Sequence, residues 1–394
     1  MDFSRVTGLH LQSMDISLYI HYPFCLRKCL YCAFNSTAGS PVGADDYVAG
    51  LLREMELRVR SLGDGVSAVT LYFGGGTPSL MEPSLASRLI ETAARLFHLA
   101  ADAEITLECN PATADFERLS AFRSAGVNRI SLGVQSFDDA LLARIGRIHT
   151  AAEAREAFVA AREAGFGNVG IDLIHSLPDQ TAAMWRRELE SACALGPEHL
   201  SVYGLTVEEG TPFALLEHEG RLALPEEEAS ASMCEHATGF LTGRGYEHYE
   251  IANFARPGFR SRHNSGYWER RPCIGFGAGA HSLLPGTEFG VRCGNTEDPQ
   301  EYLSTLSRDI LPVSESRTLT REEAMAERFF LGLRLSEGVD LDRFHREFGV
   351  SFQERYGDAC ADLFTTGLLE LRDGFLRLPS RARILSNQVF VRFL

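Results

Sequence analysis

The chain reads as an α/β protein built on a partial, three-quarter parallel barrel of six βα units, followed by a smaller winged-helix-like α+β domain. Three observations predict this. Six apolar runs, near residues 17, 66, 104, 128, 168 and 199, have the length and composition of buried strands. Helical stretches separate them, and repeated βα units imply a parallel sheet with helices outside it. Polar residues interrupt the apolar runs towards their C-terminal ends, where parallel barrels gather their chemistry. Six units fall short of the eight of a closed barrel, so the barrel is expected to be open.

The elements follow in order. Residues 17–21 form a strand that runs straight into the segment HYPFCLRKCLYCAF. Residues 45–62 carry Val48, Leu51, Leu52, Met55, Val59 and Leu62 at the spacing of one helical face. Residues 66–73 are nearly continuously apolar, as in a strand covered on both faces. Further helices are expected at 83–98, 115–124, 150–165 and 182–195. Pro312 and a polar run mark a boundary at 311–316, which divides the chain into residues 1–311 and 316–394. Beyond it, 321–335 and 341–348 read as helices. Residues 369–372 and 375–378 flank Asp373-Gly374, a hairpin signal, and 381–393 is expected to be helical. From Ser316 onward there are 12 Arg and 12 Asp or Glu, so the winged-helix shape lacks a basic footprint for nucleic acid. A lid or a partner-docking role is expected instead.

Composition excludes several classes. With 394 residues, 45% hydrophobic and 23% charged, the chain can bury a large core. A net charge of −15 argues against broad attraction to nucleic acid or acidic lipid. No apolar run approaches the ~18 residues of a membrane span, and the N-terminal MDFSRVTGLHLQSMD lacks the apolar centre of a signal peptide. The expected location is cytoplasmic, with a peripheral position at the inner face of the cell membrane as a variant. Nine scattered cysteines do not form a disulfide framework. Six of them, Cys109, Cys193, Cys234, Cys273, Cys293 and Cys360, are isolated and read as small buried apolar residues.

The other three organise the chain. Cys25, Cys29 and Cys32 form a C-x3-C-x2-C array in which three thiolates can close around one inorganic centre. A four-iron cluster takes four ligands, so three cysteines leave one iron open to a small chelating molecule. Structural zinc is the alternative, but it requires a closed shell of four ligands, and no second cysteine pair follows. Lys28 is the only lysine in the chain and lies between two of these cysteines. Either chance put it there or the loop needs a compact ammonium rather than a planar guanidinium. Gly74-Gly75-Gly76-Thr77-Pro78 follows the second strand and suits close backbone approach to a ligand. The GxxxxGK[ST] pattern of a phosphate cradle is absent.

The cysteine array, preceded by LYIHYPF and followed after a strand by GGGTPS, resembles the radical S-adenosylmethionine superfamily. Within it the chain is similar to the oxygen-independent coproporphyrinogen III oxidase group, from about Tyr19 to the C-terminus. The resemblance implies a [4Fe-4S] cluster on Cys25, Cys29 and Cys32, with S-adenosylmethionine at the open iron. It also implies that Tyr19, Tyr31, Gly75, Gly76, Thr77, Glu108, Gln135, Arg147 and Asp172 contact S-adenosylmethionine. Taken singly, Arg147 could be a solvated helix-end charge and Asp172 a helix cap. Residues 246–282 hold EIANFARPG, HNSGYW and IGFGAGAHS. The HNxxYW pattern resembles the haem-binding motif of the group's chaperone branch and makes His263 the candidate axial ligand. Imidazole ligates haem iron, and flanking aromatics suit a flat macrocycle. His281 is the second candidate, with the S-adenosylmethionine pocket as its other possible place.

Three functions are weighed. A haem chaperone would bind haem and hand it to acceptor proteins, membrane-bound respiratory enzymes among them, with an electron donor serving the cluster. The oxidase would decarboxylate coproporphyrinogen III, and the third option is a radical enzyme with an unrelated substrate. In the two enzymes a reduced cluster donates an electron to S-adenosylmethionine, giving methionine and a deoxyadenosyl radical. The family oxidase carries a fourth cysteine two positions after the third, where this chain has Phe34. It also has a long N-terminal extension, whereas 24 residues precede Cys25 here. Both departures favour the chaperone over the oxidase.

Overall fold

The computed structural model describes residues 14–62 and 65–394. Six parallel strands form its centre: β1 (Met14–Tyr22), β2 (Val66–Gly75), β3 (Glu104–Cys109), β4 (Arg129–Gln135), β5 (Val169–His175) and β6 (His199–Gly204). They pair in sequence order, and helices Ala44–Leu62, Pro83–Phe97, Phe116–Ser124, Ala151–Glu163 and Ala182–Leu195 connect them. Three of these helix starts are fixed locally by capping side chains. Asp115 accepts from Arg118 N, Thr181 accepts from Met184 N, and Thr150 and Glu153 form a capping box.

The sheet continues past the six expected strands. On one edge β6 pairs antiparallel with β8 (Asn253–Ala255), which in turn pairs with β7 (Glu247–His248). On the other edge β1 pairs parallel with β9 (Cys273–Phe276). Three antiparallel strands then follow, β10 (His281–Leu284), β11 (Val291–Asn295) and β12 (Val313–Thr318). The resulting sheet has 12 strands in the order β12-β11-β10-β9-β1-β2-β3-β4-β5-β6-β8-β7. Its two edge strands do not pair, so among the described residues the barrel is open, as expected.

Alternation along the strands separates two environments. Ile16, Leu18, Ile20, Leu71, Phe73, Leu107, Ile130, Leu132, Ile171 and Leu173 belong to the apolar core beneath the helices. The alternate residues Tyr72, Glu108, Arg129, Ser131, Asp172 and Ser201 line an interior cavity. Residues 66–73 are thus covered on both faces, yet the inner face is polar and aromatic.

A second apolar cluster lies in the C-terminal part, around Phe329, Phe344, Phe352, Tyr356 and Phe393. Helices Arg321–Gly332, Leu341–Phe348 and Phe352–Thr365 surround it. The small sheet beside them consists of β13 (Val339–Asp340), β14 (Glu370–Arg372) and β15 (Phe375–Arg377), with β15 in the middle. Asp373 and Gly374 both take positive φ, 52° and 81°, as the two central residues of a tight hairpin turn require. The expected terminal helix is shorter: a 3-10 stretch at Ser380–Leu385 precedes helix Ser386–Phe390. No helix among the described residues is long and apolar enough to cross a membrane.

Candidate functional site

The cavity inside the barrel has a volume of about 530 Å³ and opens beside the cysteine loop. The short strand Phe24–Cys25 pairs with Thr37–Ala38 and closes the base of that loop. The Lys28 ammonium ties its two sides together by donating to the carbonyls of Phe34 (3.0 Å) and Ser36 (3.1 Å). Each thiol has its own polar neighbour. Thr77 Oγ1 donates to Cys25 Sγ at 3.4 Å, Arg147 Nη1 donates to Cys29 Sγ at 3.5 Å, and Ser36 Oγ lies 4.0 Å from Cys32 Sγ. Among the described residues, no three His, Cys, Asp or Glu side chains converge on a point suited to a single metal ion. A four-iron cluster asks for something else, thiolates spread around a larger body and ligating separate irons. A loop of three cysteines facing the cavity, with donors aimed at sulfur, fits that group.

The glycine run is first a packing requirement. A Cβ on Gly76 would lie 2.8 Å from the Phe24 carbonyl oxygen, and one on Gly75 would lie 2.7 Å from the His21 ring. Gly75 also takes a φ of +115°, which disfavours any other residue. The cysteine loop can therefore rest directly on β2, with Gly76 N donating to Tyr22 O at 2.8 Å.

Of the residues expected to contact S-adenosylmethionine, Tyr31, Gly75, Gly76, Thr77, Glu108, Gln135, Arg147 and Asp172 line the cavity with the three cysteines. Glu108 accepts from Tyr72 Oη at 2.7 Å and from Gly75 N at 3.3 Å. Burial pushes its carboxyl up to about 7, against the opposing bond from Tyr72. Asp172 accepts from Ser131 Oγ at 3.2 Å, and burial raises its pKa as well. Arg147 also donates to Gly133 O, so it braces the cysteine loop against β4 and is no solvated helix-end charge. Gln135 ends β4 in the left-handed region, at φ 68°.

Two expected residues lie outside the cavity wall. Tyr19 stands behind it, its ring 6.1 Å from that of Tyr72 and its hydroxyl 3.1 Å from His21 Nδ1. His263 is 1% exposed on helix Arg262–Trp268. Its Nδ1 lies 2.8 Å from Thr70 Oγ1 and its Nε2 lies 3.0 Å from Tyr267 Oη. In this conformation the ring offers no free nitrogen to an iron. Ligation through His263 requires one of these two contacts to break. Nor are the flanking aromatics free: the hydroxyl of half-buried Tyr267 meets His263 and Cys273, and the Arg334 guanidinium covers Trp268 at 5.0 Å. His281 is exposed on β10, 3.6 Å from Glu315, and is not part of the cavity lining.

Sequence reasoning does not single out Tyr72, Arg129, Ser131, Ser201 or Tyr203, which also line the cavity. The available signal is period two: Arg129, Ser131, Gly133 and Gln135 alternate with apolar residues along β4. Arg129 is 2% exposed, and its Nε has no hydrogen-bond partner.

An open parallel barrel with a three-cysteine loop over a polar interior defines the class: a radical S-adenosylmethionine protein. Residues 19–192 match the Radical SAM superfamily, and residues 319–385 match the HemN C-terminal domain. The Heme chaperone HemW of Bacillus subtilis is 36% identical, with 96% of this chain and 99% of that protein covered. Its Escherichia coli K12 counterpart is 42% identical over 73% of this chain and 75% of that one. A zebrafish protein, Radical S-adenosyl methionine domain-containing protein 1, mitochondrial, is 35% identical over 86% of this chain and 79% of that one. The chain belongs to the HemW family. Its fold is that of the E. coli coproporphyrinogen III oxidase HemN, with a TM-score of 0.83 and 23% identity, covering 97% of this chain and 90% of that one.

Proposed function

We propose that the protein is a haem chaperone, which binds haem and passes it to acceptor proteins. A [4Fe-4S] cluster on Cys25, Cys29 and Cys32, with S-adenosylmethionine at the open iron, supports that role. The observation that carries the reading is similarity over nearly the full length to proteins named Heme chaperone HemW. Phe34 adds to it, since the family oxidase has its fourth cysteine there. Phe34 is 71% exposed, an apolar side chain at the edge of the cluster loop.

When bound, the cluster supplies one-electron chemistry to S-adenosylmethionine. The chain's own residues then have separate tasks. Thr77 donates to the Cys25 sulfur and Arg147 to the Cys29 sulfur, and Glu108 and Asp172 would bind and orient the sulfonium ligand. We assign residues 1–311 to this core and residues 316–394 to a lid or partner-docking domain. Acceptors among membrane-bound respiratory enzymes, an electron donor for the cluster, a cytoplasmic setting and no nucleic-acid partner complete the proposal. His263 as axial ligand fits only a form in which Thr70 or Tyr267 has released its ring.

The alternative is coproporphyrinogen III oxidase, favoured by the HemN-like fold alone. An anaerobic haem titration of reconstituted protein, beside a coproporphyrinogen turnover assay, separates the two. The chaperone reading expects binding without turnover.

A further inference from the structure

We infer that His263 is a positioning residue of the S-adenosylmethionine site, lying against Tyr72 and holding that phenol on Glu108. The inference rests on the proposed reading of Glu108 as a group that binds this ligand. The His263 ring stacks on Tyr72 with centroids 4.8 Å apart and planes 27° from parallel. Tyr72 Oη donates to Glu108 Oε1 at 2.7 Å, and the other carboxylate oxygen takes the Gly75 amide. A column therefore runs from the HNSGYW segment to the glycine run. Both ring nitrogens are anchored, one on Thr70 of β2 and one on Tyr267 of the same helix. The helix is fixed in turn, because the buried Glu104 carboxylate accepts from the Arg262 and His263 amides, both at 3.0 Å. Displacing the imidazole takes away the nearer of the two rings stacked on Tyr72, the other being Tyr19.

Burial and neighbouring Arg129 and Arg271 hold the His263 imidazole neutral, with its pKa pushed down to about 3, so neutral-range pH leaves the column intact. Glu108 is the member that titrates near neutrality. The titratable groups facing it are Tyr19 on β1, Tyr72 on β2, Cys109 on β3, Arg129 on β4, Asp172 on β5 and Tyr267 on the helix. S-adenosylmethionine carries a sulfonium and an ammonium, so ionised Glu108 favours it and protonated Glu108 does not. Tyr72 lowers the Glu108 pKa by its hydrogen bond, and losing that bond moves the pH midpoint of binding upward. A further consequence concerns haem. Iron ligation through His263 has to break one ring anchor and draw the ring off Tyr72, so haem bound in that way lowers S-adenosylmethionine affinity.

The test uses haem-free, cluster-reconstituted full-length protein. S-adenosylmethionine affinity is read from the perturbation of the reduced cluster's EPR spectrum, as a function of ligand concentration and pH. His263→Ala and Tyr72→Phe should each weaken binding about tenfold, the loss of one hydrogen bond to a charged group. Each should also raise the pH midpoint, and the double variant should be no worse than the poorer single one. Thr70→Val frees one ring anchor without touching the ring and should move affinity and midpoint in the same direction. It decides the matter if His263→Ala fails to take up cluster. Glu108→Ala is the reference. Unchanged affinity and midpoint in His263→Ala, or in Thr70→Val where that stands in, beside an impaired Glu108→Ala, overturns the inference alone. An unimpaired Glu108→Ala overturns the ligand-site reading and the inference with it.

Discussion

Replacing Glu54 by Ala should destabilise the protein more than any single change at its surface. Glu54 is fully buried on helix Ala44–Leu62, and Arg58, one turn on, is 2% exposed. The carboxylate accepts from Gly277 N (2.9 Å), Asn295 Nδ2 (2.8 Å), Tyr302 Oη (2.8 Å) and Arg58 Nη2 (3.4 Å). It thereby joins the helix to β11, to helix Pro299–Leu306 and to the glycine-rich loop after β9. That loop also supports the cysteine segment, because Tyr47 Oη bridges His21 O and Ala278 N while Asn35 Nδ2 donates to Ala278 O. Removing one partner of a buried ion pair costs about 3–5 kcal/mol, since the remaining charge stays desolvated. Urea denaturation of the cluster-free protein should show a loss of that size for Glu54→Ala and a smaller one for Glu54→Gln. The sign of the pH dependence follows from burial, which raises the folded-state pKa of Glu54 above its unfolded value. Its linkage contribution is then fully present below the unfolded pKa and is lost as pH rises through the folded one. Glu54→Gln should remove that part of the slope. A loss below about 1 kcal/mol for Glu54→Ala, the size of an exposed pair, would show that the buried carboxylate does not hold these elements together.

Two further outcomes are expected at the cluster. Alanine at Cys25, Cys29 or Cys32 should abolish the four-iron chromophore after anaerobic reconstitution, while each of the six other cysteines should be dispensable; absorbance and iron content check this. Arg147→Met removes a charged donor from Cys29 Sγ, which should lower the cluster's reduction potential, measured by EPR-monitored titration, because hydrogen bonds and positive charge near sulfur favour the reduced state.

The parts of the fold that show in the sequence are those with strong local periodicity. The six parallel strands and their helices were readable because apolar runs of 5–10 residues alternate with amphipathic helices that carry their own caps. The extension of the sheet by β7 to β12 was not. Those strands have 2–6 residues, too few for a clear alternation, and the pairings that attach them to the barrel, β6 with β8 and β1 with β9, join residues far apart in sequence. At the site, the cysteine array and the strand-end carboxylates stand out because polar groups interrupt apolar runs. The inner face of β4 was missed because an arginine and a serine in a strand look like a solvated face until the barrel closes over them. In the sequence His263 stands apart from the S-adenosylmethionine residues, in a segment that resembles a haem-binding motif. Only the packing of its helix against β2 brings it onto Tyr72, one contact from Glu108.

The proposed function requires that this chain carries haem and does not process porphyrinogen. Its most direct test is one preparation of anaerobically reconstituted protein, reduced and supplied with S-adenosylmethionine, offered coproporphyrinogen III in one arm and haem in the other. A role as haem chaperone predicts saturable haem binding, seen as a shifted Soret band, and no decarboxylated product. Robust conversion of coproporphyrinogen III would contradict it, whatever the haem arm showed.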